Sequence, residues 1–383
     1  MQRLYTAGTA KGFLMPKRSR TVVCVVGARP NYMKAAPIVA ALQDSVRLSP
    51  LLVHTGQHYD PDMNEKFFAE LGMPAPDSNL DVGSGSHAVQ TAEVMIRFEP
   101  VLDAAADPVV LVVGDVNSTI ACALVAAKKG IPVVHVEAGL RSRDRAMPEE
   151  INRVLTDQLS DLLFTTERSA AANLAAEGID AARVHFVGNV MIDTLIANLP
   201  RAIAPAATLA AAGLPAPAQF AVATLHRPSN VDDPAVLRRL LECLAEIGET
   251  LPVVLPLHPR TRARVDAAGL APMLDGRRIL ALGPQGYLAM LGLMKNARLV
   301  LTDSGGIQEE TTALGVPCLT LRDNTERPST VEFGTNTLVG RDPGRILAAA
   351  RESLATGGKA GRIPEFWDGN AARRIVAVLE DSF

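Results

Sequence analysis

The sequence predicts an α/β protein built from two doubly wound Rossmann-like domains that face each other across a cleft. Three observations lead there. Short β-rich apolar runs alternate with Ala- and Leu-rich helical stretches from Thr21 onward, the series halts in a Pro- and Ala-rich stretch over residues 200–219, and a second series then begins. Such alternation calls for parallel strands with crossover helices, and 383 residues exceed what a single hydrophobic core usually organises.

Residues 1–20 carry Arg3, Lys11, Lys17, Arg18 and Arg20 without a continuous apolar segment, so they read as a mobile tail and not as a secretory signal. The first domain, 21–199, has strands at TVVCVVG (21–27), LLVHTG (51–56), VVLVVGD (109–115), VVHVEAG (133–139) and VHFVGN (184–189). Their near-continuous apolar character means that both faces of the sheet are covered. Residues 200–219 hold four prolines and no polar periodicity, which marks the interdomain connection. The second domain, 220–368, has strands at FAVATLH (220–226), VVLPLH (253–258), RILALG (278–283), ARLVLTD (297–303) and CLTLRD (318–323). The two halves share layering but no residue-level repeat.

Composition narrows the function. A 48% hydrophobic fraction with 21% charged residues is that of a soluble globular protein, and no apolar run is long enough for a membrane span. The net charge of −3, with no basic stripe, argues against nucleic acid as the main partner. Cys24, Cys122, Cys243 and Cys318 stand singly among apolar residues, the pattern of buried thiols in a reducing cytoplasm.

In open α/β sheets ligands bind beyond the carboxyl ends of the strands. Here the strands run into GARPN, HTGQHYD, GDVNST, VEAGLRSRDR, LHRPSN, LHPR, TDSGGIQEE and RDNTERP. Any one of these could be turn or cap chemistry; together, in two domains, they point to a site. The run from Thr302 to Glu310 sets Ser304, Gly305 and Gly306 between a strand and a helix. Glycine lets backbone approach an anion, and the first helical N–H groups point at it, so this is a candidate diphosphate seat. Glu310 is placed for the two hydroxyls of a ribose, or else is a dipole-favouring glutamate of the first turns. Arg29 and Arg327 follow strands and suit bidentate phosphate contact, or surface ion pairs. Lys34 suits an anion or a solvated helix face equally.

Asp115 ends an apolar strand, Glu137 lies inside VVHVEAG, and Glu149 with Glu150 follows Met147-Pro148 at a helix start. Buried acids are costly unless paired or used. Either they pair with Arg141, Arg145 or Arg153, or they remove and return a proton on the two faces of a substrate. His226, at the end of a second-domain strand, is a further candidate for proton donation or hydrogen bonding. No GxGxxG follows the first strand, His54, His58 and His258 lie apart, and GDVNST lacks a second acid for magnesium, so neither dinucleotide nor metal is expected.

Taken together, GARPNYMKAAPI, TGQHYD, VVGDVNSTIA, HVEAGLRSRDRAMPEEINR, GNVMIDTL, TLHRPSN, TDSGGIQEE and RDNTERP resemble the non-hydrolysing UDP-N-acetylglucosamine 2-epimerases, over residues 21 to about 380. The resemblance implies a GT-B architecture, a final helix (369–382, within a terminal segment 369–383) crossing back to the first domain, and a homodimer, and the missing fingerprint and scattered histidines imply no cofactor. It implies Asp115, Glu137 and Glu149 as acid/base carboxylates and His226 as the active-site histidine. It assigns Arg29, Ser304, Gly305 and Gly306 to the diphosphate, Glu310 to the ribose, and Lys34, Arg153 and Arg327 to further substrate contacts. Gln57, His58 and His258 fall in a region where bacterial members bind a second UDP-N-acetylglucosamine. There the chain departs from many of them, with Asn31 in GARPN and Asp60 after Tyr59.

The activity implied is reversible inversion at carbon 2 to UDP-N-acetylmannosamine, by loss of UDP to a 2-acetamidoglucal and its re-addition. A hydrolysing epimerase, an epimerase of a UDP-diacetamido sugar, a GT-B glycosyltransferase and a UDP-sugar sensor are the rivals. The last two leave the costly acids without a role.

Overall fold

Strands that are apolar on both faces are what stacks the layers. In the computed structural model, which describes residues 19–56 and 67–383, seven parallel strands form the first sheet: β1 (Arg20–Val26), β2 (Leu48–His54), β3 (Ser78–Asn79), β4 (Pro108–Val113), β5 (Val133–Ala138), β6 (Leu162–Thr165) and β7 (Val184–Phe186). Their order is β3-β2-β1-β4-β5-β6-β7. Val22, Cys24 and Val26 face a cluster with Ile38, Val39 and Leu42 of the helix Arg29–Gln43, while Val23 and Val25 face one with Val94, Phe98 and Leu102 of the helix His87–Ala104. With side chains alternating at period 2, a strand covered on both faces must be apolar throughout.

The second sheet joins β8 (Ala221–Thr224), β9 (Val253–Pro256), β10 (Ile279–Leu282), β11 (Leu299–Thr302), β12 (Cys318–Thr320) and β13 (Asn336–Leu338) in the order β10-β9-β8-β11-β12-β13, again parallel. Ala221, Ala223, Val253 and Leu255 pack on one face, Val222, Val254 and Val300 on the other. Each sheet reverses its winding once, between β1 and β4 and between β8 and β11. A crevice opens there at the carboxyl ends of the strands.

Three strands escape the sequence reading. β3 is two residues long, β6 is four residues between Asp161 and Thr166, and β13 buries a polar residue. That residue, Asn336, takes Thr320 Oγ1 at 2.7 Å and donates to Gln308 Oε1 at 3.1 Å, so its burial leaves no apolar signature. Within residues 200–219, read as the interdomain connection, Pro205–Ala211 is a helix whose Leu209 is fully buried against Phe220 and Val222. Pro at the first helical position followed by alanines favours that helix. It attaches half of the stretch to the second domain.

Ala371–Ser382 forms a helix that packs on Arg29–Gln43, its Ala372 and Ile375 joining Ile38 and Leu42, while Asp193 of the first domain caps its start through Ala371 N (3.1 Å) and Ala372 N (2.7 Å). The tail reading of residues 1–20 lies outside the described residues except for Ser19 and Arg20, and Arg20 already belongs to β1. All four cysteines are buried and unbridged, and among the described residues no helix is long and apolar enough to cross a membrane.

Candidate active site

At the first switch point β4 ends at Val113, and Gly114, in the left-handed region at φ 68°, turns the chain into Asp115. A β-carbon on Gly114 would lie 3.1 Å from Lys34 Nζ and 3.3 Å from Glu137 Oε2, so glycine serves both the turn and the contact. Arg153, on the helix Pro148–Leu159, pairs with Asp115 at 2.5 Å and with Glu150 at 2.7 Å. Burial would raise the Asp115 carboxyl, but the charges of Arg153, Lys34 and Arg327 outweigh it and hold the group below the ordinary aspartate value.

Glu137 is the strained residue of the site. It lies in β5 at the register shift between Val136 and Ala138 and adopts φ 76°. For a residue with a β-carbon this costs about 1–3 kcal/mol, and such bulges re-aim side chains beside active sites. The residue is 4% exposed, and its carboxylate is hydrogen-bonded by Lys34 Nζ and receives Arg327 Nη2 of the second domain at 2.7 Å. The alternative pairing with Arg141 or Arg145 does not occur: Arg141 instead holds Asp157 and Glu177. Lys34 is 6% exposed, which removes the solvated-face reading.

Neighbouring glutamates take different parts. Glu150 is buried and accepts Ser142 N (2.9 Å) and Arg143 N (2.8 Å), fixing the loop after β5. Glu149 is half-buried in the first turn of Pro148–Leu159 and makes no hydrogen bond or ion pair among the described residues. Asn31, which departs from the bacterial pattern, accepts Ala28 N at 3.1 Å and donates to Val113 O at 2.8 Å, tying the loop after β1 to the end of β4.

At the second switch point His226 follows β8 and gives Nδ1 to Asp303 at 2.7 Å. Asp303, fully buried, also accepts His226 N, Arg227 N and Asn230 Nδ2 at 2.9–3.1 Å. Burial would raise its carboxyl, but His226 and these hydrogen bonds hold it low. With Nδ1 engaged, Nε2 is the imidazole nitrogen left for a ligand, on a side chain 38% exposed. Ser304 begins the helix Gly305–Leu314 without spending its hydroxyl on a cap. A β-carbon on Gly305 would come within 3.2 Å of Glu326 Oε1, and one on Gly306 within 3.3 Å of Met191 Cε from the first domain. The glycines therefore leave free N–H groups at a helix start and also admit close neighbours.

Between the two ends stands Arg327, 5% exposed, reaching Glu137 and, at 2.9 Å, Glu309. Glu309 also accepts Asn189 Nδ2 of the first domain at 2.9 Å. Burial pushes the Glu309 carboxyl up to about 7 against the pull of Arg327. Burial pushes Glu310 to about 7 as well, although it accepts the Tyr287 hydroxyl at 2.9 Å. Glu326 is the opposite case: buried, but held well below the ordinary glutamate range by Arg327, Arg322 and Arg227.

The structure thus joins Lys34, Asp115, Glu137, Arg153 and Arg327 in one charged cluster. Ser304, Gly305, Gly306 and His226 stand on adjacent strand ends of the second sheet, and Glu310 one helical turn behind. Arg29 opens the helix Arg29–Gln43, but its side chain, like Gln57 and His58, lies outside the described residues. His258 caps the helix Pro259–Ala267 through Arg260 N, its ring 6.0 Å from that of His226. Asn189, Asp303, Glu309 and Glu326 are partners that the sequence reading did not single out. The signal was present only as adjacency, Glu309 beside Glu310 and Glu326 beside Arg327. Among the described residues no group of three or more His, Cys, Asp or Glu side chains is arranged to hold a metal ion.

A family model described as UDP-N-acetylglucosamine 2-epimerase matches residues 40–380. The UDP-2,3-diacetamido-2,3-dideoxy-D-glucuronate 2-epimerase of Pseudomonas aeruginosa is 44% identical, covering 87% of this chain and 92% of its own. The UDP-N-acetylglucosamine 2-epimerase of Methanocaldococcus jannaschii is 43% identical, covering 93% and 97%. The crystal structure of a Methanocaldococcus jannaschii UDP-GlcNAc 2-epimerase in complex with UDP-GlcNAc and UDP matches with a TM-score of 0.86 at 42% identity, over 94% of this chain and 99% of that one.

Proposed function

Because the chain belongs to the UDP-N-acetylglucosamine 2-epimerase family, we propose that it interconverts UDP-N-acetylglucosamine and UDP-N-acetylmannosamine without hydrolysis, as a homodimer in the cytoplasm. One observation carries the reading: buried carboxylates on the first sheet are held by cations, Asp115 by Arg153 and Glu137 by Arg327 of the second domain, opposite a helix start that suits a diphosphate. A binding protein would gain nothing from a strained, buried Glu137.

The hydrogen on carbon 2 is weakly acidic until carbon 1 loses its oxygen. As the bond from carbon 1 to the diphosphate breaks, its electron pair leaves with UDP, which Arg29, the Ser304-Gly305-Gly306 turn and His226 receive. Asp115, Glu137 and Glu149 face the cation that develops, and one of them takes the proton from carbon 2 to give the 2-acetamidoglucal. Return of a proton to the opposite face of carbon 2, and of the UDP oxygen to carbon 1, completes the inversion. Glu310 holds the ribose, and Lys34, Arg153 and Arg327 hold Asp115 below the ordinary aspartate value while contacting substrate. Two domains closing over the intermediate exclude the water that would otherwise capture it.

The test is incubation of the pure protein with UDP-N-acetylglucosamine in heavy water, followed by proton and phosphorus NMR. UDP-N-acetylmannosamine with deuterium at carbon 2 and no stoichiometric release of UDP is expected; UDP released in proportion to free N-acetylmannosamine identifies the hydrolysing reaction instead. The 44% identity to the Pseudomonas enzyme favours one second reading, a diacetamido-uronic acid as the sugar. A kcat/KM for that UDP-sugar more than about tenfold above the value for UDP-N-acetylglucosamine would establish it.

A further inference from the structure

The helix Tyr287–Asn296 has no cap of its own, because Gly286 precedes it and contributes no side chain. Its cap comes from the other domain. Glu70 Oε2 accepts Tyr287 N at 2.7 Å and Leu288 N at 3.4 Å. A β-carbon on Gly286 would lie 2.4 Å from Glu70 Oε1, so the glycine is the space that the carboxylate fills. The arrangement is braced from both sides. Arg201 Nη1 donates to Glu70 O at 2.8 Å, and Tyr287, Leu288 and Leu291 share an apolar cluster with Phe67, Phe68 and Leu195 of the first domain. The first residue of this helix is Tyr287, whose hydroxyl donates to Glu310 Oε1 at 2.9 Å. Glu310 Oε2 has no hydrogen-bond partner among the described residues. Burial and the nearby Glu310 carboxylate keep the Tyr287 phenol protonated far above neutrality, so it remains a donor.

We propose that Glu70 is a positioning residue for ribose recognition. Capping the Tyr287 helix from the first domain, it fixes the Tyr287 hydroxyl on Glu310, so that the second domain presents a set carboxylate to the ribose only while the two domains are together. The inference rests on the assignment of Glu310 to the ribose made above. An exposed surface pair of this length would contribute little. Here the carboxylate satisfies orphan helix N–H groups at the positive dipole end, and removing it frees the turn that carries the phenol.

The experiment is calorimetric binding of UDP and of 2′-deoxy-UDP to the full chain. The readout is the ratio of the two affinities, which a general loss of stability does not move. The wild type is expected to prefer UDP by about tenfold or more, the worth of a hydroxyl bonded to a carboxylate. Glu70→Ala and Tyr287→Phe should each cut that preference at least threefold, and Glu70→Ala added to Tyr287→Phe should cut it no further, since both act through one contact. Glu70→Gln, which keeps an acceptor oxygen, should retain most of it. A folded Glu70→Ala protein with the full wild-type preference overturns the proposal, as do independent, additive effects of the two substitutions. Glu310→Ala, which removes the acceptor, separates the underlying assignment. Loss of preference there together with full preference in Glu70→Ala defeats the positioning role alone, while full preference in Glu310→Ala defeats the ribose assignment and the proposal with it.

Discussion

At the carboxyl end of the first sheet, Asp115, Glu137 and Glu150 are each clamped by a cation while Glu149 has none among the described residues, whereas at the same place in the second sheet the groups are a bare helix start, a histidine backed by Asp303, and two glutamates raised to about 7. Both ends are switch points of the same winding. The difference lies in what surrounds the acids. On the first sheet Arg153, Lys34 and Arg327 outweigh the burial of Asp115, so it stays ionised; on the second, burial outweighs Arg327 at Glu309 and Tyr287 at Glu310. An ionised Asp115 among paired cations suits proton abstraction beside a developing cation. A region with free N–H groups and acids that can go neutral does not repel an incoming diphosphate.

The largest expected effect tests the chemical half. Asp115→Asn and Glu149→Gln preserve size and hydrogen bonding but not proton acceptance, so each should lower turnover by about a hundredfold or more while UDP still binds. Near-normal turnover in both variants, with normal deuterium uptake at carbon 2, would transfer the chemistry to His226. A smaller effect tests the binding half. Gly305→Val places branched carbon beside Glu326 and over the helix start, and should weaken UDP binding by about tenfold in calorimetry with the fold retained. Unchanged affinity would remove the diphosphate from this turn.

A gentler contrast appears in stability against pH. Glu309 and Glu310 titrate near 7 in the folded chain, above the ordinary glutamate value, so between that value and 7 the native state binds more protons than the unfolded state and stability falls as pH rises. His54 and His185, lowered mainly by burial, act in the opposite sense as they lose their protons, and the depressed Asp115, Asp157, Asp303 and Glu326 matter only in acid. Glu309→Gln combined with Glu310→Gln should therefore flatten any decline in Tm between about pH 5 and 8, by a few degrees. An unchanged Tm profile would mean that these carboxyls titrate normally. The smallest expected effect is none at all: turnover in EDTA should equal turnover without it, and a loss restored by added metal would contradict a site assembled from organic charges alone.

Local patterns made β1 and β4 readable, because strands covered on both faces are apolar without interruption and end abruptly in polar residues. They hid β6, whose four residues carry no period, and β13, whose buried Asn336 is satisfied by side chains up to 28 residues away. Among the site residues, the Ser304-Gly305-Gly306 turn was legible because glycine, hydroxyl and helix start are consecutive. The sequence could offer Glu149 and Glu150 only as a pair. Which of them braces the loop after β5 and which stays unpaired depends on where Ser142 and Arg143 place their N–H groups.

What the sequence determined by itself is therefore whatever one strand, turn or helix encodes: two parallel layers, their winding into two domains, and the polar residues delivered to each strand end. Tertiary structure alone decided the partners. Glu137 meets Lys34 across 103 residues and Arg327 across 190, and turns toward them through a left-handed backbone that no glycine announces. Likewise Glu70 caps a helix 217 residues further on. Periodicity reports which way a side chain faces within its own element, but an ion pair or a borrowed cap requires two elements to be brought within about 3 Å, and only the packing of both domains fixes that distance.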